Sequence, residues 1–406
     1  CGAVRAADGP QVSVAGTVHS RISGAMKLLV ISHACVTPIN QDFWGFIMHK
    51  YGWNIDLVVP ETWRGEYGLV VAQRWKSFAG RIWKLPVLFS GSVPLHIYRA
   101  RLDKVIEKVD PDVVYVHHEP YGLATFQWYL ANKIAKSVPI GFFSWQNILK
   151  NYPLPVRVGE QWVYRNSSFA FVGSKGAEEV LREKGYKGPV YYKPGFVNLN
   201  IYKPYPEEAR KIRRELGVED KYVIGFVGRL VKEKGVVTLV KALSLLGDRL
   251  DWVCFFIGKG NLLDFLKSKS VRLGIDRRVM FMDYIKHENI PYYLSLMDLL
   301  ILPSETQKNW KEQFGRVIIE AMACGTPVIG SSCGEIPHLI QKTGGGLIFR
   351  EGDYEELAEC IVKLLHDEAL RKNLAIRGSN VVRNEYSLEA VASAFVCNLE
   401  RVLSRF

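Results

Sequence analysis

Two doubly wound α/β domains in tandem are predicted for this chain, on three observations. Its 406 residues are too many for one ordinary core, at about 150 residues per domain. Short, almost continuously apolar segments alternate with amphipathic ones, the pattern of a parallel sheet covered on both faces. The alternation halts near Tyr202-Lys-Pro-Tyr-Pro206 and then restarts. Each proline there fixes its own φ and restricts the residue before it, so the stretch reads as a stiff joint. The expected division is a leader over 1–25, a first Rossmann-like domain over 26–205 and a second over 206–386. A final helical segment, 387–406, is expected to pack back on the first domain.

Residues 1–25 are rich in Gly, Ala, Ser and Val, with no sustained period and no compact apolar centre, so they read as an appended or flexible leader before Met26. Leu28–Ser32, Ile55–Val59, Val113–His117, Ile140–Ser144 and Phe169–Gly173 then read as strands, and Leu95–Lys108 as a helix between two of them. In the second half the strand pattern falls on Tyr222–Arg229, Trp252–Gly258, Val279–Met282, Leu299–Pro303, Val328–Gly330 and Gly346–Phe349. No short repeat or low-complexity tract interrupts either half.

Composition narrows the function classes. Hydrophobic content of 48% with 23% charged residues is globular, and no run of eighteen or more apolar residues offers a membrane-spanning helix. The seven cysteines form no Cys-x-x-Cys pair, so neither a zinc ribbon nor a disulfide framework is indicated, and a reducing cytoplasm is the expected setting. The formal charge of +12 favours anionic partners without choosing among nucleotide phosphate, acidic membrane surface and nucleic acid.

The most informative stretch is Glu312-Gln-Phe-Gly-Arg-Val-Ile-Ile-Glu320, followed by Gly325-Thr-Pro327. A regular helix would hold the two carboxylates about 12 Å apart, the scale of an elongated ligand. Gly315 is expected to end a loop, so that a helix starts at Arg316 and unpaired amides around Phe314, Gly315, Arg316 and Val317 offer an anion site. Glu320 lies in an otherwise apolar run, where a carboxylate needs a strong partner, and ribose hydroxyls can supply one. The pattern suggests a ligand with two polar ends and a phosphate between them. A solvated Glu312 and a surface-helix Glu320 are the plain alternative.

Other motifs lie at strand ends. Gly228-Arg229 through Lys234-Gly235 follows the first strand of the second half, where Arg229 and Lys234 can hold a diphosphate, or else form an ordinary basic turn. Gly258-Lys-Gly260 follows the next strand and reads either as a phosphate-facing turn or as a plain tight one. Neither half carries Gly-x-Gly-x-x-Gly, which argues against a dinucleotide oxidoreductase. His117-His118-Glu119-Pro120 ends a strand on the crevice side of the first sheet, where His118 is a site candidate or a satisfied loop residue. Neighbours on a strand point to opposite faces, so His117 and His118 do not make a metal pair and no metal is expected. Trp63-Arg64, Arg74-Trp75-Lys76 and Arg81-Ile-Trp83-Lys84 interleave aromatic and basic residues. Such a surface suits sugar stacking, a lipid interface, single-stranded nucleic acid, or a helical hairpin with core tryptophans.

Taken together, these residues resemble the retaining glycosyltransferases of family four, with the GT-B fold of two Rossmann-like domains facing an interdomain cleft. The resemblance covers nearly the whole chain from Met26 and is strongest over Lys221–Leu339, where the Glu-x7-Glu pair, the Gly-Thr-Pro stop, Gly228-Arg229 and Lys234-Gly235 all match. It implies that Arg229 and Lys234 hold a donor diphosphate, Glu320 the ribose and Glu312 the transferred sugar. It implies also that Phe281-Met-Asp283-Tyr284-Ile285 holds the nucleobase and that His118 lies beside the donor sugar. Glu119-Pro-Tyr, Ser144-Trp-Gln-Asn147 and Trp310-Lys-Glu-Gln-Phe-Gly315 are similar to bacterial exopolysaccharide enzymes, including cyanobacterial envelope-polysaccharide ones. Two departures are Pro194-Gly-Phe196-Val-Asn198 at the joint, and His33-Ala-Cys-Val-Thr-Pro38 where the family has a glycine pair.

The resemblance implies a metal-independent hexosyltransferase with no required cofactor, using a nucleoside-diphosphate sugar, with UDP-glucose the best guess, and a glycan or lipid-linked acceptor. Contact with an anionic membrane would be peripheral, at the inner face. A nucleotide-sugar hydrolase or epimerase-like enzyme of the same fold is the alternative within the fold. A basic nucleic-acid-binding protein is the alternative of another class, and no recognisable nucleic-acid module supports it.

Overall fold

The computed structural model describes residues 26–406, apart from 66–67, 248–249 and 283–284. The apolar segments form two wholly parallel sheets. The first has seven strands, in the order Val190–Tyr192, Phe169–Val172, Ile140–Ser144, Val113–Val116, Lys27–Ile31, Asn54–Pro60 and Ile82–Leu85. The second has six, in the order Val279–Met282, Trp252–Ile257, Tyr222–Val227, Leu299–Leu302, Val328–Ser331 and Gly346–Phe349. Strands buried on both faces have no polar side to show, which is why Val113-Val-Tyr-Val116 and Leu299-Leu-Ile-Leu302 read as unbroken apolar runs.

Each sheet grows outward in one direction and then resumes on the other side of its first strand. The reversal falls between Lys27–Ile31 and Val113–Val116 in the first sheet, and between Tyr222–Val227 and Leu299–Leu302 in the second. Outside the carboxyl ends of such strand pairs the connections diverge and leave a crevice. Those ends carry His33 and His117-His118 in the first sheet, and Gly228-Arg229 and Pro303-Ser304 in the second.

The chain passes between the sheets twice, and the two passages are tied together. Val197 N–H donates to the Tyr386 carbonyl at 2.9 Å, and Leu388 N–H donates to the Val197 carbonyl at 2.9 Å. Ser387 then caps the helix Leu388–Leu403 by accepting from Ala390 N–H. That helix buries Val391, Phe395 and Leu399 in one apolar cluster with Phe43, Trp44 and Tyr115 of the first domain. Pro206 occupies the first turn of the helix Pro206–Glu215, where its missing N–H costs nothing.

Two local expectations are corrected. Leu95–Lys108 is not one helix: Ile97–Tyr98 pairs with Val87–Leu88, and the helix runs only over Leu102–Val109. The Trp-Arg stretch is not a helical hairpin, because Thr62–Gly65 pairs antiparallel with Gly68–Val71 and Ile82–Leu85 is a sheet edge. Its tryptophans are anchored in the fold, with Trp75 Nε1 donating to Asp42 at 3.0 Å and Trp83 Nε1 to Asp56 at 2.8 Å. Among the described residues no helix is long and apolar enough to cross a membrane.

Candidate active site

At the reversal point of the second sheet a cavity of about 560 Å³ is lined by Gly228, Arg229, Gly258, Ile285, His287 and Glu320, among others. The strands Tyr222–Val227 and Trp252–Ile257 deliver their glycine turns side by side, with Gly228 N–H donating to the Ile257 carbonyl at 3.0 Å. The approach is tight: a Cβ on Gly258, whose φ is +139°, would lie 2.0 Å from the Gly228 carbonyl oxygen. Glycine is therefore required by contact as well as by backbone angle. Gly258→Ala is expected to destabilise the second domain by roughly 2 kcal/mol or more and to weaken nucleotide binding, as measured by denaturant unfolding and calorimetry.

Gly315 adopts φ +78° and stands immediately before the helix Arg316–Ala323. A left-handed residue at that junction lets the loop turn sharply into the helix, as the Phe-Gly break predicts. Glu320 sits in the second turn, only 8% exposed. Burial raises its carboxyl above the ordinary value, opposed by the charge of Arg316 and the hydroxyl of Tyr202. Tyr202 in turn shares a hydrogen bond of 3.2 Å with His287 Nε2. A buried acid with such partners presents acceptor oxygens at the cavity wall. Val317 is half-buried against the core, and Phe314 is buried there against the Trp145 ring.

Glu312 and Lys234 belong together. Lys234 Nζ donates to Glu312 Oε2 at 2.5 Å, Ser304 Oγ donates to the same oxygen at 3.0 Å, and the ammonium lies 5.0 Å from the Trp310 ring centre. Arg229 pairs with Glu233 at 3.3 Å. Neither Lys234, Glu312 nor Phe314 lines the cavity that holds Arg229 and Glu320. The structure thus gathers Gly228, Arg229, Gly258, Ile285 and Glu320 into one wall, with Lys234 and Glu312 as a neighbouring ion pair. Asp283 and Tyr284 lie outside the described residues.

His118 does not open onto that wall; it is 3% exposed and packs within the first domain. Its Nδ1 lies 3.0 Å from His33 Nδ1, and its ring centre is 4.9 Å from that of His96. Burial holds His118 well below the ordinary imidazole value, with His33, His96 and His117 adding to the effect. Glu119, assigned no role from sequence, accepts from Ser144 Oγ at 2.7 Å and Trp145 N–H at 2.8 Å, fixing the loop after the strand Ile140–Ser144.

That loop bridges the domains. Asn147 Nδ2 donates to the Glu312 carbonyl at 2.9 Å, and Gln313 Nε2 donates to the Trp145 carbonyl at 3.1 Å. Glu335 accepts from the Lys175 N–H at 3.2 Å, at the start of the helix Lys175–Glu183. Glu335 was not singled out from sequence, and Asn147 and Gln313 only as parts of motifs. The legible signal was a polar Ser-Trp-Gln-Asn run at the carboxyl end of a buried strand.

Residues 208–381 match the family model "Glycosyl transferases group 1". The second domain belongs to the group 1 glycosyltransferases. This glycosyltransferase domain carries the Gly228, Arg229 and Glu320 wall and the Lys234–Glu312 pair. Among curated proteins the chain is 29% identical over 201 residues to the N-acetyl-alpha-D-glucosaminyl L-malate synthase of Bacillus anthracis, covering 49% of this chain and 50% of that one. It is 25% identical over 226 residues to a GDP-mannose-dependent alpha-(1-6)-phosphatidylinositol monomannoside mannosyltransferase of Mycobacterium tuberculosis, covering 55% and 59%. The chain thus spans about half the length of the first of these curated relatives. In overall fold it is similar to HepE of Anabaena, solved in complex with UDP, with a TM-score of 0.74, 19% identity and coverage of 93% of this chain and all of that one. The two-domain GT-B architecture is thereby shared along almost the entire chain.

Proposed function

We propose that the protein is a retaining glycosyltransferase that moves a hexose from a nucleoside-diphosphate sugar, with UDP-glucose the preferred candidate, to a glycan or lipid-linked acceptor in polysaccharide synthesis. The observation that carries this reading is the single cavity wall uniting two closely packed glycine turns, Arg229 and the buried Glu320. Glu320 would accept from the ribose hydroxyls, Ile285 would lie by the base, and Arg229 would meet the diphosphate. Lys234 and the amides around Phe314, Gly315 and Arg316 would stabilise charge growing on the leaving group, where preorganised donors contribute most. Glu312, steadied by Lys234 and Ser304, would orient sugar hydroxyls. The bond from the sugar anomeric carbon to phosphate breaks as the acceptor oxygen attacks from the same face, and the acceptor proton passes to the departing phosphate oxygen.

The named donors of related proteins differ: the mycobacterial relative is GDP-mannose-dependent, and HepE was solved with UDP. A melting screen against UDP, GDP, ADP and their sugars therefore tests both the class and the base. A ligand at a hundred times its Kd adds about 2.7 kcal/mol to the folded state. UDP is expected to raise the melting temperature by several degrees. A response to GDP alone would replace the base, and no response to any nucleoside diphosphate would overturn the reading. The anomeric configuration of the product, read by NMR, tests retention.

A further inference from the structure

Three histidines far apart in the sequence meet at the reversal point of the first sheet, and none of them lines the cavity of the second domain. His33 follows the strand Lys27–Ile31, His118 follows Val113–Val116, and His96 immediately precedes Ile97–Tyr98. One ring nitrogen from each lies within 4.8 Å of the others. His96 and His118 are buried, His33 partly so, and the Trp63 ring covers His33 and His96 at centroid distances of 4.8 and 5.0 Å.

The hydrogen bonds leave this cluster incomplete. His96 Nδ1 lies 3.1 Å from the Ser92 carbonyl and 3.0 Å from the Val93 carbonyl, so it must carry the proton and donate. Its Nε2 is then a lone-pair acceptor, buried and without a hydrogen-bond partner. His118 Nε2 is likewise buried without a partner. Between His33 and His118 only one Nδ1 can donate to the other, so no arrangement of protons satisfies all three rings. A buried nitrogen left unmatched costs free energy, and a cation accepting lone pairs removes that cost. An imidazole whose other nitrogen donates to a backbone carbonyl is the usual arrangement of a metal-bound histidine.

We propose that His33, His96 and His118 form a three-imidazole site for a zinc-class transition ion at the first sheet's crevice. The donor set contains no carboxylate, which disfavours magnesium and calcium, whereas imidazole suits zinc, cobalt, nickel and copper. Three protein ligands leave a fourth tetrahedral position for water or a substrate oxygen. Zinc–nitrogen bonds of about 2.0–2.1 Å place ligand atoms roughly 3.4 Å apart, so the cluster contracts on binding, chiefly by rotation of the half-buried His33.

The test uses untagged full-length protein, stripped with a chelator and titrated with Co²⁺. The expected result is one equivalent bound, with the intense visible bands of four-coordinate cobalt, lost on adding Zn²⁺ and not produced with Mg²⁺. His96→Gln keeps an amide donor for the Ser92 and Val93 carbonyls but removes the lone-pair nitrogen. It is expected to abolish the bands and weaken zinc binding by roughly a hundredfold. His49→Ala, at an exposed position, is expected to change neither. Circular dichroism checks folding, and His33→Gln is the second variant should His96→Gln unfold. Absence of stoichiometric bands in the parent, or bands that persist in both folded glutamine variants, overturns the proposal. UDP binding is read separately on the same samples, so either result leaves the nucleotide reading to its own test.

Discussion

Lys234→Ala is expected to lose transfer and stability together. Removing one preorganised donor from a developing oxyanion costs roughly a hundredfold to a thousandfold in turnover. The ion pair adds a second loss that a surface lysine would not show. The Glu312 residue is only 8% exposed, and its Oε2 accepts from Lys234 and Ser304. Without the lysine, a buried carboxylate keeps one hydroxyl donor against its desolvation, and breaking such a pair from one side typically costs 3–5 kcal/mol. Glu312 is partly reachable by solvent, so the lower end, about 3 kcal/mol, is expected in urea unfolding.

The double variant Lys234→Met/Glu312→Gln separates the two losses. Replacing both charges removes the uncompensated carboxylate, so most of the lost stability should return, while transfer stays low. If the double variant is no more stable than Lys234→Ala, the pair is not what holds this corner together. If Lys234→Ala transfers sugar normally, its role at the diphosphate is wrong.

The architecture was legible where burial is two-sided. Runs such as Trp252-Val-Cys-Phe-Phe-Ile257 have no polar alternation to confuse, and they lie in the middle of a sheet. The edges of the first sheet were not legible, although those of the second, Val279–Met282 and Gly346–Phe349, were. Ile82-Trp-Lys-Leu85 and Val190-Tyr-Tyr192 are short and half-exposed, and edge strands bury too little to leave a periodic signal. Leu95–Lys108 looked helical because the amphipathic period of Leu102–Val109 is strong, while Ile97–Tyr98 owes its extended form to pairing with Val87–Leu88. At the site, Gly315 and the helix starting at Arg316 followed from local backbone chemistry. The Lys234–Glu312 pair and the His33, His96 and His118 cluster did not, because both are made by crossovers that bring distant loops to one sheet end. Sequence spacing carries no record of such meetings. The family resemblance puts His118 beside the donor sugar, and its neighbours His33 and His96 were not foreseen.

Glu320→Gln is expected to move binding and stability in opposite directions. A carboxylate accepting from two ribose hydroxyls makes charge-assisted bonds that a neutral amide cannot replace in kind. The loss is about 2 kcal/mol, roughly thirtyfold in the Kd for UDP. The apo protein should nevertheless melt no lower than the parent. Burial raises the Glu320 carboxyl above its ordinary value, despite the nearby Arg316 and Tyr202. A folded-state value above the unfolded one means that the folded protein holds more protons between the two, so this group's contribution to stability falls as pH rises through that window. Glutamine has no charge to desolvate, and the variant's stability should lack that fall. Binding has the opposite pH sense: as pH drops through the raised value, Glu320 takes up a proton and UDP affinity declines. The nucleotide's phosphate and His287, itself lowered by burial and Arg316, also respond to pH. The decisive quantity is thus the difference between parent and Glu320→Gln, measured by calorimetry across mildly acidic to neutral pH. A glutamine variant that binds UDP as tightly as the parent at neutral pH would remove Glu320 from the ribose. A variant clearly less stable than the parent would show instead that the carboxylate is held by partners strong enough to outweigh its burial.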